Sequence, residues 1–291
     1  MPTVPVIIVP RVPRSAHGLG RFTVLLVLGI LATGCAEVQD LATSTPTSPA
    51  SASPDPRQAL PSTPAAALRR RTDAPPSGSR PVRVSPLRDP RGLHPGLTRI
   101  PAADRKTARG LIRKVAATAP GATGGYDRDE HFGPAWTDDV DITWGRNGCR
   151  TREEILRRDM KGIDFRAGTD DCVVLVGILQ EPYTGRTIEF SKSRPTQVQV
   201  DHVMPLAYDW RQGARRWTQA KREQIANDPL NLLAVDGPTN QRKSDSGPAE
   251  WMPPNPEVRC AYAVRFAMVS RKYALPVTFA DRDAMLKACG G

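Results

Sequence analysis

The chain has 291 residues and a formal net charge of +11. Residues 1–100 hold 12 Lys/Arg against 5 Asp/Glu, and residues 101–291 hold 29 against 25, so most of the basic excess lies outside the part that can build a core. This split excludes a fully disordered chain, a polytopic membrane protein and a large two-domain cytosolic enzyme; it predicts one compact domain over 103–291.

Residues 1–35 read as an export signal. Arg11, Arg14 and Arg21 precede a mostly apolar run at 22–32. A spanning helix needs about 20 such residues, so this shorter run suits a signal h-region. It ends at Ala32-Thr33-Gly34-Cys35. That string resembles a bacterial lipobox, in which the Cys becomes a lipidated N-terminus, although Leu is more typical where Ala32 stands. Cys35 is therefore the candidate lipid anchor to a membrane surface, against an ordinary secretory signal with an incidental Cys. Residues 36–102 are rich in Ser, Thr, Pro, Ala and Arg. They hold too few large apolar side chains to offset backbone ordering, and read as a disordered spacer. Arg69-Arg70-Arg71 within it is either an anion contact or a solvated tail.

The first predicted helix spans 103–117, where Ala108, Leu111, Ile112 and Val115 form one apolar stripe. A Gly-rich turn at 120–125 and an irregular segment with Tyr126, Phe132, Trp136 and Trp144 follow. Thr151 and Glu154 have capping-box spacing, predicting a helix over 152–160. The β-branched run 172–179 predicts a buried strand, with a turn at 183–186 and a second strand at 187–190. The alternating 197–202 (QVQVDH) predicts a half-buried strand. A polar helix at 213–226, an apolar run at 231–235, a break at Gly237-Pro238 and a helix from Thr239 to Lys243 come next. The last predicted helix, 257–273, lines Tyr262, Phe266, Val269 and Tyr273 on a core-facing stripe.

Apart from Cys35, the cysteines are Cys149, Cys172, Cys260 and Cys289. An even number in an exported chain points to two disulfides. Proximity favours Cys149 with Cys172 and Cys260 with Cys289 among the three pairings. A four-thiolate zinc site would want short C-x2-C pairs, which this sequence lacks.

Of the four histidines, His17, His94, His131 and His202, only His202 stands in a dense polar motif. It follows Asp201 at a strand end, with Asn231 in Asn231-Leu232-Leu233 and Asn240 in Asn240-Gln241-Arg242-Lys243-Ser244-Asp245 further on. A neutral imidazole can take a proton from water near neutral pH, and a hard cation on oxygen ligands can stabilise phosphate charge. Alternation points Asp201 and His202 to opposite sides of an ideal strand, so a loop or bulge at the strand end is expected to bring both to one site.

This combination resembles the HNH (ββα-metal) endonuclease motif. With the stretch from Glu181-Pro182-Tyr183-Thr184-Gly185 to Trp251-Met252-Pro253-Pro254 it is similar to secreted actinobacterial HNH proteins related to the HNH domain of GmrSD-type restriction enzymes. The resemblance covers most of 105–291 and implies an α+β fold, with a ββα-metal motif embedded in a small helix-rich domain with short antiparallel strands. It implies His202 as general base, Asp201 and Asn240 as metal ligands, and Asn231 as the brace that orients the base. Asn240 stands where the namesake motif has His. A carboxamide oxygen is harder than imidazole, which favours Mg²⁺, with Mn²⁺ the alternative.

The implied activity is metal-dependent hydrolysis of DNA phosphodiesters with low sequence specificity by an exported enzyme. The alternative is a non-catalytic surface lipoprotein that uses the same scaffold for binding. Arg242 and Lys243 are candidate contacts to nucleic-acid phosphates, or a solvated helix face. Asn240 has the competing reading of a plain helix cap. Glu181 reads as an exposed strand-end acid, against an acid that supports the metal site from behind its ligands. His131 with Asp127, Asp129 and Glu130, and Asp139 with Asp141, read as solvent-facing loop acids rather than a second metal site. No motif for a small-molecule organic cofactor is present, and no protein partner is indicated.

Overall fold

The computed structural model describes residues 84–291. The expected export signal, Cys35 and most of the expected spacer lie outside the described residues. Residues 84–102 lie inside, and here the spacer reading is corrected. Leu97 and Ile100 are each 1% exposed and belong to the larger hydrophobic core. A segment without long regular elements can still bury its few large apolar side chains where the rest of the domain offers a surface for them.

A 3-10 turn at Ala102–Asp104 leads into α1 (Arg105–Arg113), which buries Ala108 and Ile112 as its stripe predicts. It stops short of 117 because β1 (Ala117–Thr118) leaves the helix to join a strand near the C-terminus. Next come α2 (Arg128–Phe132) and α3 (Thr151–Asp159). Thr151 is already helical and its hydroxyl donates to the Thr137 carbonyl at 3.0 Å, so the capping box is not formed. The chain passes directly into β2 (Met160–Phe165), which the sequence pattern did not predict. With β3 (Val174–Gln180) and β4 (Thr187–Ser191) it makes an antiparallel sheet of order β2-β3-β4.

The second sheet is the antiparallel pair of β5 (Val198–His202) and β6 (Leu232–Asp236). Between them lie α4 (Leu206–Gln212), a 3-10 turn at Ala214–Arg216, and α5 (Gln219–Asn227). The predicted helix over 213–226 is thus split, because Thr218 starts α5 by accepting from the Lys221 amide. After β6 come α6 (Gly237–Lys243), α7 (Arg259–Tyr273), β7 (Val277–Thr278) and α8 (Phe279–Ala288). β7 pairs in parallel with β1. The fold is α+β, as predicted.

β6 is buried at every residue and divides two cores. Alternation sends Leu233 and Val235 to the larger core around α7, and Leu232 and Ala234 to a smaller one with Ile155, Leu179 and Phe190. The stripe Tyr262, Phe266, Val269 and Tyr273 is core, as expected. Cys149 bonds Cys172 and Cys260 bonds Cys289, the pairing that proximity favours.

Candidate active site

The site forms where β5 ends. The β5–β6 ladder is regular to its last rungs, with Asp201 opposite Leu233 and His202 opposite Leu232. The expected bulge is therefore absent, and period two holds through the strand end. Val198 and Val200 face the smaller core, and His202 follows them. Gln199 and Asp201 face the other way, onto α6: Asn240 Nδ2 donates to Gln199 Oε1 at 2.9 Å, and Lys243 Nζ donates to Asp201 Oδ1 at 2.9 Å. Asp201 and His202 thus sit side by side along the hairpin end but on opposite faces.

Asp201 is buried, and each of its oxygens is held. Tyr183 Oη donates to Oδ2 at 2.6 Å while Lys243 takes Oδ1. Burial raises the Asp201 carboxyl above its ordinary value, opposed by the Lys243 ammonium and by the Tyr183 hydrogen bond. Burial, with Asp201 beside it, also keeps the Tyr183 phenol protonated. Tyr183 read as a turn residue in the sequence; the only hint of its role is the Glu181-Pro182-Tyr183-Thr184-Gly185 string. Glu181, expected to be exposed, is buried, because its carboxylate accepts from the amides of Tyr183 and Thr184 and so builds the turn that aims Tyr183.

His202 is half-buried and stacks on Trp136, with ring centroids 5.3 Å apart. Its Nε2 lies 2.9 Å from the carbonyl of Ala226 in the last turn of α5. A carbonyl only accepts, so Nε2 carries the proton and Nδ1 keeps its lone pair. Nδ1 has no hydrogen-bond partner among the described residues. Burial pulls the imidazole down to about 3, against the Ala226 carbonyl, which favours the charged ring.

Asn231 is fully buried and touches no reacting group. Its Oδ1 accepts from the Met204 amide at 2.8 Å, and its Nδ2 donates to the carbonyls of Met204 and Ile225. It therefore ties the chain after His202 to the last turn of α5, where the carbonyl partner of His202 lies.

On α6, Asp236 is the N-cap, accepting from the Thr239 amide at 3.0 Å. Asn240 is consequently not the cap and lies further along the helix. Arg242 is exposed and donates to Thr239 Oγ1. The reading of Lys243 as a phosphate contact is corrected: it is fully buried, and its ammonium is spent on Asp201 Oδ1 and on the His202 carbonyl at 2.8 Å. Neighbouring helical residues point about 100° apart, so one of this pair faces water and the other the strand. Beside α6 a cleft of about 720 Å³ is lined by Arg186, Arg194, Gln197, Asp236 and Gln241 among others.

The donor chemistry of Asp201 and Asn240, a carboxylate and a carboxamide oxygen against one face of β5, suits a hard divalent cation. Two contacts oppose it: the Lys243 ammonium lies on one oxygen of that carboxylate and the Tyr183 hydroxyl on the other. Among the described residues no three His, Cys, Asp or Glu side chains converge as a metal-binding group. Asp127 caps α2 and His131 stacks on Trp210, so those two are occupied locally. Asp139 pairs with Arg146.

A hairpin whose first strand ends in Asp-His, followed by a short helix carrying Asn and Lys back along that strand, defines a ββα arrangement within an α+β domain. Residues 150–288 match the family model described as GmrSD restriction endonucleases, C-terminal domain, and over this stretch the chain belongs to that family. An uncharacterized secreted protein of Arthroderma benhamiae is 35% identical over 195 residues, spanning 65% of this chain and 87% of the relative. No solved structure matches the chain.

Proposed function

We propose that this protein is an exported HNH-type endonuclease that hydrolyses DNA phosphodiesters with low sequence specificity. The observation that carries the reading is the β5–β6–α6 unit, which sets Asp201 and His202 at one strand end with Asn240 and Lys243 packed along that strand. Membership of a family named for restriction endonucleases supports nuclease chemistry. The secreted relative and the two disulfides support export, and Cys35 is the proposed lipid anchor.

The scissile phosphate lies across the open end of the hairpin, between the face of Asp201 and the face of His202. His202 takes the proton of the attacking water on Nδ1, while the Ala226 carbonyl fixes the tautomer and the ring plane. An anionic phosphate beside the ring favours imidazolium and raises its affinity for that proton. Asn231 positions this assembly through Met204 and Ile225. Asp201 and Asn240 would hold Mg²⁺, or Mn²⁺ in its place, which supplies charge stabilisation to the phosphate and the leaving oxygen. Arg242, with Arg186 and Arg194 in the neighbouring cleft, supplies sequence-independent contacts to DNA phosphates.

The test is incubation of the purified protein with plasmid DNA and Mg²⁺ or Mn²⁺, beside EDTA and His202→Ala. We expect cleavage that EDTA abolishes and that falls by about 10²–10⁴-fold in His202→Ala, the usual worth of a general base. Cleavage that survives His202→Ala overturns the mechanism. No cleavage with any divalent ion favours the non-catalytic lipoprotein. Cys35→Ser should release the protein from membranes.

A further inference from the structure

The His202 ring is held at one atom by the Ala226 carbonyl. A single hydrogen bond tolerates about 30° of bend before it weakens, so this contact sets the ring plane only to within that tolerance. The Nδ1 lone pair lies in the ring plane, and any tilt re-aims the atom that must take the proton. The second hold on the ring is Trp136, in the segment between α2 and α3. Its indole lies nearly parallel to the imidazole, with the two planes 9° apart and the centroids 5.3 Å apart.

Trp136 is not an ordinary core side chain. It is half-buried, at the margin of the smaller core. Its φ is 59°, in the left-handed region that bulky side chains rarely adopt. Such a conformation is costly and persists only where the surroundings impose it. Here the carbonyls on either side of Trp136 are both held at the start of α3. Arg150 Nη2 donates to the Ala135 carbonyl at 2.8 Å, and Thr151 Oγ1 donates to the Thr137 carbonyl at 3.0 Å. The Arg128 guanidinium of α2 lies 6.0 Å from the indole centroid, within cation–π range, and adds a third tie. The backbone is thus clamped in a strained conformation that lays a flat face against His202.

We infer that Trp136 is a positioning residue for the reaction: its indole fixes the plane of the His202 ring and so aims Nδ1 at the attacking water. Trp136 exchanges no proton itself and acts through His202. The inference rests on the reading of His202 as the general base. It separates flatness from bulk, because an aliphatic side chain can fill the space without presenting a planar face.

The experiment compares the purified full chain as wild type, Trp136→Phe and Trp136→Leu in plasmid cleavage with Mg²⁺. Proton NMR of the His202 ring runs beside it, assigned by the signals lost in His202→Ala. The indole ring current should move the wild-type His202 ring protons upfield. Trp136→Phe should keep part of that shift and hold kcat within about threefold of wild type. Trp136→Leu should lose the shift and lower kcat by about 10–100-fold, with KM unchanged within about twofold, since the misaim falls on the chemical step and not on DNA binding. Melting curves check that each variant folds, and Trp136→Met takes the place of Trp136→Leu if the latter does not.

Equal kcat in Trp136→Leu and Trp136→Phe, with His202→Ala inactive, overturns the inference and leaves the nuclease reading standing. So does a wild-type His202 without the ring-current shift. A rise in KM at constant kcat in Trp136→Leu makes Trp136 a DNA contact and also overturns it. Cleavage that survives His202→Ala, or no cleavage by wild type, overturns both the inference and the reading of His202 as the base.

Discussion

Asp209, buried with neither oxygen hydrogen-bonded among the described residues, should betray itself through stability. Burial lifts its carboxyl well above the ordinary carboxylate range, opposed by Lys243 and Arg211. The folded protein therefore holds this proton more tightly than the unfolded chain does. Its contribution to stability is complete below the unfolded pKa and is lost as pH rises through the folded one. Asp209→Asn cannot titrate, so it should be more stable than wild type at pH 8, by about 1–3 kcal/mol. Its advantage should vanish only below about pH 3, where the wild-type carboxyl is neutral in both states. Thermal midpoints at the two pH values check this, and equal destabilisation at both would refute it. None of this was legible in the sequence. Asp209 lies outside every element the sequence predicts, and Lys243 reads as a phosphate contact or part of a solvated helix face beside Arg242. What decides their fate is which helix face meets β5, a tertiary fact that a helix as short as α6 does not advertise in its own pattern.

At the level of elements, the legible parts were those with a clean period. The strings at 197–202 and 231–235 alternate or run apolar, and Gly237-Pro238 marks the start of α6 close to where it forms. The elements that escaped lack such a period. α4 buries Leu206, Tyr208, Asp209, Trp210 and Gln212, so its polar residues do not mark a solvent face. β2 alternates only weakly and contains Gly162. Arg158 at the end of α3 shows how the elements are tied. Its guanidinium forks onto both oxygens of Asp159 and also donates to the carbonyls of Gly92, Pro229 and Leu232. The Asp159 carboxylate in turn accepts from the Ala234 amide of β6. Arg158→Ala leaves that carboxylate buried without its cation, which should cost about 3–5 kcal/mol. The thermal midpoint should fall by roughly 10 °C. Arg158→Lys keeps the charge but loses the fork, and should fall between. A loss under about 1 kcal/mol in Arg158→Ala, from chemical denaturation, would show that Asp159 is carried by its amide donors alone.

At the scale of the whole molecule, the question is where the domain begins. Composition places the boundary near 103, because Pro, Ser and Arg dominate the stretch before it and a window average hides two large side chains. Leu97 and Ile100 nevertheless enter the larger core, and the same stretch is bound into the polar network. Asp89 accepts from the amides of Leu93 and His94, and Asp159 accepts from the Gly96 amide. Gly92 and Gly96 supply carbonyls to Arg158 and Arg265, both buried. A fragment that starts at 103 loses two side chains worth about 1.5–3 kcal/mol each. It also leaves two buried guanidinium groups short of acceptors, each a further penalty. Set against a typical total of about 5–15 kcal/mol, that loss brings such a fragment close to unfolding. A fragment of residues 84–291 should unfold in urea as one cooperative step with the midpoint of the full chain. The 103–291 fragment should unfold at a clearly lower midpoint or without a sharp transition. Coincident midpoints would mean that this strap, residues 84–102, is packed on the domain without stabilising it. The comparison also governs any nuclease assay on a shortened chain. Arg158 and Arg265 both also donate to the Leu232 carbonyl of β6, and Leu232 stands opposite His202. Loosening there would reach the hairpin end, and an inactive 103–291 fragment would report the missing strap rather than the chemistry of His202.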